Sequence, residues 1–276
     1  MCMEITHKLL QDILNPIEET VRKASDAIME VYKKDTFEKE TKSDGSPVTE
    51  ADNAANRIIL DSLDLITPNI PVISEETFNK HEQNPDVPYW LVDPLDGTRE
   101  FINKSKEFTV NIALIQNGSA IFGIVGAPAT LEIWHGSIFD EPKALPIESD
   151  GENNRLRVVM SKSHQTEADK NLLKLLNNQN IDYQVVEKGS SLKLCALADN
   201  QADIYPRFGP TSEWDIAAGN AVLLGSGGTV SLLDSGMPLP YNKDDTILNS
   251  PFVACRNQYI KDRYFPILSE YFKKLV

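Results

Sequence analysis

The 276-residue sequence has few cysteines, and their spacing forms no recognisable site. Cys2, Cys195 and Cys255 are odd in number and show no CxxC pattern. Such a set indicates neither a disulfide framework nor a zinc site. We therefore expect a protein of a reducing compartment.

Long hydrophobic runs are also lacking. No apolar run approaches the roughly 20 residues that a membrane-spanning helix needs. The segment from Met1 to Leu14 is amphipathic and carries acidic residues, unlike a secretory signal peptide. The predicted location is the cytoplasm. Attachment to the surface of the inner membrane needs no spanning segment and stays open as an alternative.

Positive charge is scarce, because the formal net charge is −14. Proteins that bind nucleic-acid polymers need a basic surface, so this function is not expected. A small phosphorylated ligand remains compatible with the charge, since bound cations and a few lysines or arginines can reverse the local field.

Several catalytic motifs are absent. The four histidines form no HExxH pattern, and the sequence contains no GxSxG, P-loop or GxGxxG motif. These absences argue against zinc proteases, serine hydrolases with a nucleophile elbow, P-loop NTPases and dinucleotide-dependent enzymes.

In the first half of the chain, two predicted helices precede a group of strands. Apolar residues recur at helical spacing in Ile5–Tyr32 and Asn53–Ile66. Strand-like runs follow at Ile70–Glu76, Phe108–Ile115, Ala120–Ala127 and Leu131–Ile138. This segregation predicts an α+β fold.

Beyond the polar stretch Asp140–Asn154, strands and helices alternate. Strands are predicted at Arg157–Ser161, Asp182–Glu187, Asp203–Pro206, Thr229–Leu233 and Pro251–Cys255. Helices are predicted at Glu167–Asn177, Ser190–Ala198, Glu213–Leu224 and Tyr259–Leu275. We therefore expect two halves, an α+β half at 1–150 and an α/β half at 151–276.

The segment Trp90–Arg99 (WLVDPLDGTR) combines a buried-strand pattern with a polar turn. Asp93 and Asp96 lie close together in sequence. Keeping both carboxylates ionised costs little free energy only when a cation lies between them. Pro94 and Gly97 favour a rigid, tight loop after the strand. Oxygen ligands of this kind suit Mg²⁺ better than zinc.

Three further acids follow or begin predicted elements. Asp52, with Thr49 as N-cap, forms a capping-box pattern, Glu75 ends a strand, and Asp215 lies in the first turn of a helix. Each has a structural alternative as a cap or a solvated loop charge. If they converge with the Asp93–Asp96 loop, they form a site for two or more Mg²⁺ ions, whose usual chemistry is phosphoryl transfer to water.

Three motifs together resemble the lithium-sensitive, Mg²⁺-dependent inositol monophosphatase superfamily. They are Ser74–Glu76 (SEE), Asp93–Thr98 (DPLDGT) and Glu213–Ala218 (EWDIAA). Further stretches are similar to the bacterial 3′(2′),5′-bisphosphate nucleotidases of the CysQ type. They are Ser46–Asp52 (SPVTEAD), Glu107–Leu114 (EFTVNIAL), Ser161–His164 (SKSH), Gly189–Lys193 (GSSLK) and Tyr205–Thr211 (YPRFGPT).

This resemblance implies a layered αβαβα sandwich of the inositol monophosphatase and fructose-1,6-bisphosphatase type. It implies hydrolysis of the 3′-phosphate of adenosine 3′,5′-bisphosphate to AMP and phosphate, in sulfur metabolism. The implied cofactor is Mg²⁺, two or three ions per site, with inhibition by Li⁺. Inhibition by Ca²⁺ is also expected, since Ca²⁺ prefers looser coordination.

The resemblance also implies roles for individual residues. The implied metal ligands are Glu75, Asp93, the Leu95 carbonyl, Asp96 and Asp215. Thr98 with Asp52 or Glu75 would activate the water, and the Gly97 and Thr98 amides would bind the scissile phosphate. The substrate side would be lined by Ser161, His164, Gly189, Ser190, Lys193, Arg207 and Asp215.

Two other functions stay open from the sequence. One is hydrolysis of inositol monophosphate or another sugar phosphate at the same metal site. The other is a catalytically silent regulator that binds metal or nucleotide, although such a protein would be expected to lack one of the acids named above or Thr98. The oligomeric state, monomer or homodimer, is not determined.

Overall fold

The computed structural model describes residues 5–41, 47–78, 87–142, 155–161, 165–243 and 246–275. Its first layer is a pair of helices, α1 (His7–Tyr32) and α2 (Glu50–Ile66). Apolar residues on one face of each helix are fully buried, as the helical periodicity predicts. A two-stranded ribbon, β1 (Lys39–Thr41) and β2 (Pro47–Thr49), connects the helices and was not predicted.

The second layer is a five-stranded sheet in the order β3-β4-β5-β6-β7. Its strands are β3 (Val72–Ser74), β4 (Tyr89–Asp96), β5 (Thr109–Gln116), β6 (Ser119–Ala127) and β7 (Glu132–Ser137). The pair β3–β4 is parallel and the other three pairs are antiparallel. The short helix α3 (Thr98–Ile102) follows β4 directly.

The third layer contains α5 (Leu192–Ala198) and α6 (Glu213–Gly225). Helix α6 is apolar on nearly all sides, which is typical of a helix buried between two sheets. A Cβ atom at Gly123 of β6 would lie 2.4 Å from the Ala218 carbonyl oxygen. Glycine therefore allows α6 to lie directly on the first sheet.

The fourth layer is a mixed sheet in the order β11-β12-β10-β8-β9, and the fifth is a pair of outer helices. The strands are β8 (Leu156–Ser161), β9 (Tyr183–Lys188), β10 (Ile204–Arg207), β11 (Thr229–Leu232) and β12 (Phe252–Cys255). The outer helices are α4 (Glu167–Asn178) and α7 (Gln258–Lys273).

The predicted αβαβα architecture is confirmed. Some helix starts differ from the prediction: α2 begins at Glu50 rather than at Asn53, and α5 begins at Leu192 rather than at Ser190. Ser190 adopts φ 46°, a left-handed conformation that cannot start a right-handed helix. The predicted division of the chain at residue 150 stays a prediction, because 143–154 lie outside the described residues. No helix in the described ranges is long and apolar enough to cross a bilayer.

A buried carboxylate joins three strands of the second sheet. Asp203, which is 0% exposed, precedes β10 and accepts hydrogen bonds from Arg157 of β8 at 2.7 to 3.0 Å. It also accepts a 2.9 Å bond from Arg256, which follows β12 and is equally buried. Buried charges of this kind are tolerated only when each is compensated.

We expect Asp203→Ala to lower the free energy of unfolding by about 3 kcal/mol or more, because it removes the carboxylate that compensates both guanidinium groups. Denaturant unfolding would measure this. The matched control is Asp182→Ala, which breaks the exposed Arg155–Asp182 pair and should cost less than about 1 kcal/mol. Equal losses in the two variants would contradict the role assigned to Asp203.

Candidate active site

Glu75 and Asp93 lie side by side at one edge of the first sheet. Strands β3 and β4 are parallel, so their carboxyl ends reach the same edge. The Glu75 N–H donates a 3.0 Å hydrogen bond to the Val92 carbonyl, which continues the ladder by one residue. The sheet therefore brings together two acids that are 18 residues apart in sequence.

The β4–α3 junction contains a bulge and a tight turn. Asp93 pairs with Asn111 and Asp96 with Thr109, so β4 carries one extra residue in this interval. The Leu95 N–H donates a 3.0 Å bond to Asp93 Oδ1, which holds the carboxylate against the bulge. The bulge directs Asp93 and Asp96 toward the same end of the strand.

Gly97 is required at this junction for two reasons. Its φ of 93° is disfavoured for residues with a side chain, and a Cβ atom would lie 2.3 Å from Ser190 Oγ. That hydroxyl lies 2.9 Å from the Asp96 carbonyl oxygen and 2.8 Å from the Glu107 carbonyl oxygen. The loop that precedes α5 is thereby held against the β4–α3 turn.

Asp52 caps a helix and also contacts Thr98. Its Oδ2 accepts hydrogen bonds from the Thr49 N–H at 2.8 Å and the Thr49 hydroxyl at 2.6 Å. Its Oδ1 accepts a 3.2 Å bond from the Thr98 hydroxyl. The predicted capping box is confirmed, and it leaves the second carboxylate oxygen directed toward the turn.

Asp215 has a comparable position at the start of α6. Its Oδ2 accepts a 2.8 Å hydrogen bond from the Ser212 N–H. The neighbouring Trp214 packs edge to face on Phe78, with 5.3 Å between the ring centroids. This contact joins the start of α6 to the loop that carries Glu75.

The converging acids perturb one another. Burial raises the pKa of Asp93 well above its ordinary value, and the charges of Glu75, Asp96 and Asp215 raise it further. Burial and then Asp96 raise the pKa of Asp215. Burial also raises the pKa of Asp96, while the nearby Lys193 ammonium opposes the shift. The site thus concentrates negative charge that the protein compensates only in part.

The donor set fits Mg²⁺. It offers carboxylate oxygens and the Leu95 carbonyl, with neither sulfur nor imidazole, and this is the chemistry that hard cations prefer. Within the described residues, no three His, Cys, Asp or Glu side chains already converge on one ion-sized point. Acids that repel one another rotate apart until a cation holds them.

A cleft of about 630 Å³ opens beside these acids. The predicted site residues that line it are Glu75, Asp96, Gly97, Thr98, Ser161, Ser190, Lys193, Arg207 and Asp215. Asp52, Asp93 and Leu95 are each 1% exposed and lie below the surface of the cleft. Gly189 is buried behind it, against Glu107. His164 lies outside the described residues.

Two cations, Lys193 and Arg207, form a basic part of the cleft wall. Lys193 is 9% exposed, and its Nζ donates a 2.7 Å bond to the Ser190 carbonyl and lies 5.5 Å from the centre of the Tyr205 ring. Burial lowers the pKa of Lys193, while Asp96 raises it. Arg207 is held by the carbonyls of Gly209 and Pro210, at 3.1 and 3.0 Å.

Some cleft residues were missed by the sequence reasoning. They include Glu100, Ser191, Tyr205 and Thr211. The last three belong to the GSSLK and YPRFGPT stretches, so position within a motif was the available signal. A loop serine or threonine has no periodic pattern that separates a turn role from a site role.

The sequence profile of the inositol monophosphatase family matches residues 9–271. The chain belongs to this family. It is 42% identical to the 3′(2′),5′-bisphosphate nucleotidase CysQ of Escherichia coli K12 over 254 residues, which is 87% of this chain and 98% of the relative.

Solved structures agree on the fold. The crystal structure of CysQ from Bacteroides thetaiotaomicron superposes with a TM-score of 0.73 at 32% identity, covering 88% of this chain and 98% of that chain. An IMPase from Thermotoga maritima superposes with a TM-score of 0.75 at 20% identity, covering 96% and 100%. The second likeness concerns the fold alone.

We expect Asp93→Asn to stabilise the metal-free protein by about 1 kcal/mol, because it removes a buried charge that its neighbours repel. The amide oxygen keeps the acceptor for the Leu95 N–H. Denaturant unfolding in chelator would measure the gain. In the same variant the stabilisation by added Mg²⁺ should be largely lost.

The pH dependence of this effect has a defined sign. Because the folded-state pKa of Asp93 lies above its ordinary value of 3.8, the metal-free wild type should gain stability as the pH falls from neutral through that raised pKa. The gain should be smaller in Asp93→Asn. The control Asp61→Asn, at an exposed position of α2, should behave as wild type. A destabilised Asp93→Asn protein in chelator would contradict this view of the site.

Proposed function

We propose that this chain is a Mg²⁺-dependent 3′(2′),5′-bisphosphate nucleotidase that hydrolyses the 3′-phosphate of adenosine 3′,5′-bisphosphate to AMP and phosphate. The observation that carries the proposal is one cleft that is lined both by the carboxylates of Glu75, Asp96 and Asp215 and by Lys193 and Arg207. Such a cleft suits a substrate with two phosphate groups, one bound through cations at the acids and one bound by Lys193 and Arg207. The similarity to CysQ nucleotidases supports the same activity.

In this proposal Glu75, Asp93, Asp96, Asp215 and the Leu95 carbonyl hold two or three Mg²⁺ ions. When bound, the ions supply positive charge to the attacking and leaving oxygens. The Gly97 and Thr98 amides face the scissile phosphate at the start of α3. These assignments account for the concentration of buried acids at the edge of the sheet.

The Thr98–Asp52 contact suggests a path for the proton of the attacking water. The Thr98 hydroxyl donates to Asp52 Oδ1, so the threonine oxygen is able to accept a hydrogen bond from that water. As the water oxygen bonds to phosphorus, the bond between phosphorus and the nucleotide 3′-oxygen breaks. The water's proton passes to Thr98 while the Thr98 proton passes to Asp52, and the leaving 3′-oxygen takes a proton from solvent in the open cleft. Burial raises the pKa of Asp52, which makes it a better proton acceptor near neutral pH. Glu75 is the alternative acceptor.

Lys193 and Arg207 provide the basis for substrate choice. Among the described residues, Lys193 and Arg207 donate their hydrogen bonds to backbone carbonyls and none to a carboxylate, which leaves further N–H donors available to a phosphate. An inositol monophosphate has no second phosphate for this wall. Ser161, Ser190 and, outside the described residues, His164 complete the proposed nucleotide side.

A comparison of substrates tests the activity. We expect kcat/KM for adenosine 3′,5′-bisphosphate to exceed that for inositol 1-phosphate by about 100-fold or more, equivalent to about 3 kcal/mol of binding to the second phosphate. Asp96→Asn is the inactive control. Preference for the inositol ester would support the sugar-phosphate alternative instead.

The same assay separates enzyme from regulator and tests the metal. Phosphate release by wild type no faster than by Asp96→Asn would indicate a silent binding protein. Replacing Mg²⁺ with Ca²⁺ should abolish turnover, and Li⁺ should inhibit it. Full activity in Ca²⁺ alone would contradict the proposed Mg²⁺ geometry.

Lys193→Met tests the second-phosphate wall. We expect it to raise KM for adenosine 3′,5′-bisphosphate by about 10-fold or more, because a charge-assisted hydrogen bond is lost, with a much smaller effect on 3′-AMP. The control is Lys174→Met, on the exposed side of α4. Equal effects on the two substrates would assign Lys193 a different role.

A further inference from the structure

A fully buried asparagine reaches from the first sheet toward the loop before α5. Asn111 of β5 is 0% exposed and pairs directly with Asp93 of β4. Its Nδ2 donates a 3.0 Å hydrogen bond to Ser191 Oγ and lies 3.5 Å from Asp96 Oδ2. The amide group therefore lies between the end of β4 and that loop.

Ser191 continues the connection to α6. It is 2% exposed, and its hydroxyl donates a 2.7 Å hydrogen bond to the Asp215 carbonyl oxygen. Its backbone also hydrogen-bonds to the Asp96 carboxylate. Ser191 thus contacts two acids, one at the end of β4 and one in the first turn of α6, that are more than a hundred residues apart in sequence.

Asn111 is a costly residue for this position. Its Oδ1 is buried with no hydrogen-bond partner among the described residues. An unsatisfied buried acceptor destabilises the folded protein, and a leucine of similar shape would avoid that cost. The stability of the sheet therefore does not explain why position 111 is an asparagine. The hydrogen bond that its side-chain N–H donates to Ser191 does explain it.

We infer that Asn111 and Ser191 are positioning residues, which hold Asp96 and Asp215 at the separation that a divalent cation requires. The inference rests on the proposed function, because both acids enter it as predicted Mg²⁺ ligands. Without the bridge, the end of β4 and the start of α6 lose the hydrogen bonds that run between them through Asn111 and Ser191, and the start of α6 can move away from β4. Supporting hydrogen bonds of this kind typically change metal affinity by about 10- to 100-fold.

The test uses Ser191→Ala and Asn111→Leu in the full chain, with Mn²⁺ as the probe ion. Calorimetric titration of each protein with Mn²⁺ measures metal affinity without turnover, and thermal unfolding in chelator measures stability. We expect Mn²⁺ affinity to fall about 10-fold or more in both variants. Asn111→Leu should unfold at or above the wild-type temperature, because it removes the unsatisfied acceptor.

Matched controls exist elsewhere in the fold. Asn220 is 4% exposed, donates one hydrogen bond, to Tyr241, and has an unsatisfied Oδ1 like that of Asn111. Ser226 is 8% exposed and donates to the Leu223 carbonyl at 2.8 Å. Asn220→Leu and Ser226→Ala should bind Mn²⁺ as wild type does.

Kinetics provide a further readout. Asn111 does not line the cleft, so Asn111→Leu should raise the Mg²⁺ concentration for half-maximal activity and lower kcat, with KM for the nucleotide at saturating Mg²⁺ changed less than about two-fold. Wild-type Mn²⁺ affinity in both variants would overturn the inference. Equal losses of affinity in the control variants would also overturn it. Failure of the proposed function is a separate result, namely a wild type that binds Mn²⁺ and hydrolyses no bisphosphate nucleotide.

Discussion

The mutual repulsion of buried carboxylates is the constraint on which the site depends. Asp93 is buried, and Asp96 and Asp215 are half-buried beside it, so water screens these acids only in part. Burial and the neighbouring charges raise the pKa values of Asp93 and Asp215. Such an arrangement is unfavourable for the apoprotein and favourable for a divalent cation. The surrounding fold therefore has to hold the acids in place by other means, and it does so mainly through backbone hydrogen bonds.

Helix caps supply part of this restraint. Asp52 and Asp215 occupy the first turns of α2 and α6, where backbone N–H groups and the helix dipole favour negative charge. The capping and site-directed roles use different carboxylate oxygens in Asp52. A cap is therefore compatible with the proposed role at these positions, because the cap fixes the orientation that the proposed function needs.

The layered architecture determines what faces the acids. Helix α6 lies between the sheets, so its first turn meets the edge of the first sheet. The first turn of α5 and the end of β10 bring Lys193 and Arg207 into the same cleft. Gly123 permits the close approach of α6, and Gly97 permits the contact with Ser190. Groups of opposite charge thus line one cleft, which suits an anionic substrate that also binds cations.

Local patterns in the sequence determined the helices, most strands, the capping boxes and the DPLDGT turn, because periodicity, caps and turns depend on residues close in the chain. The order of motifs also indicated the family and its layers. Only the tertiary structure decided that Glu75 adjoins Asp93, that Lys193 is buried beside Tyr205, and that Asn111 reaches Ser191. These contacts join residues far apart in sequence, and an isolated asparagine in an apolar strand has no local pattern that reveals its partner.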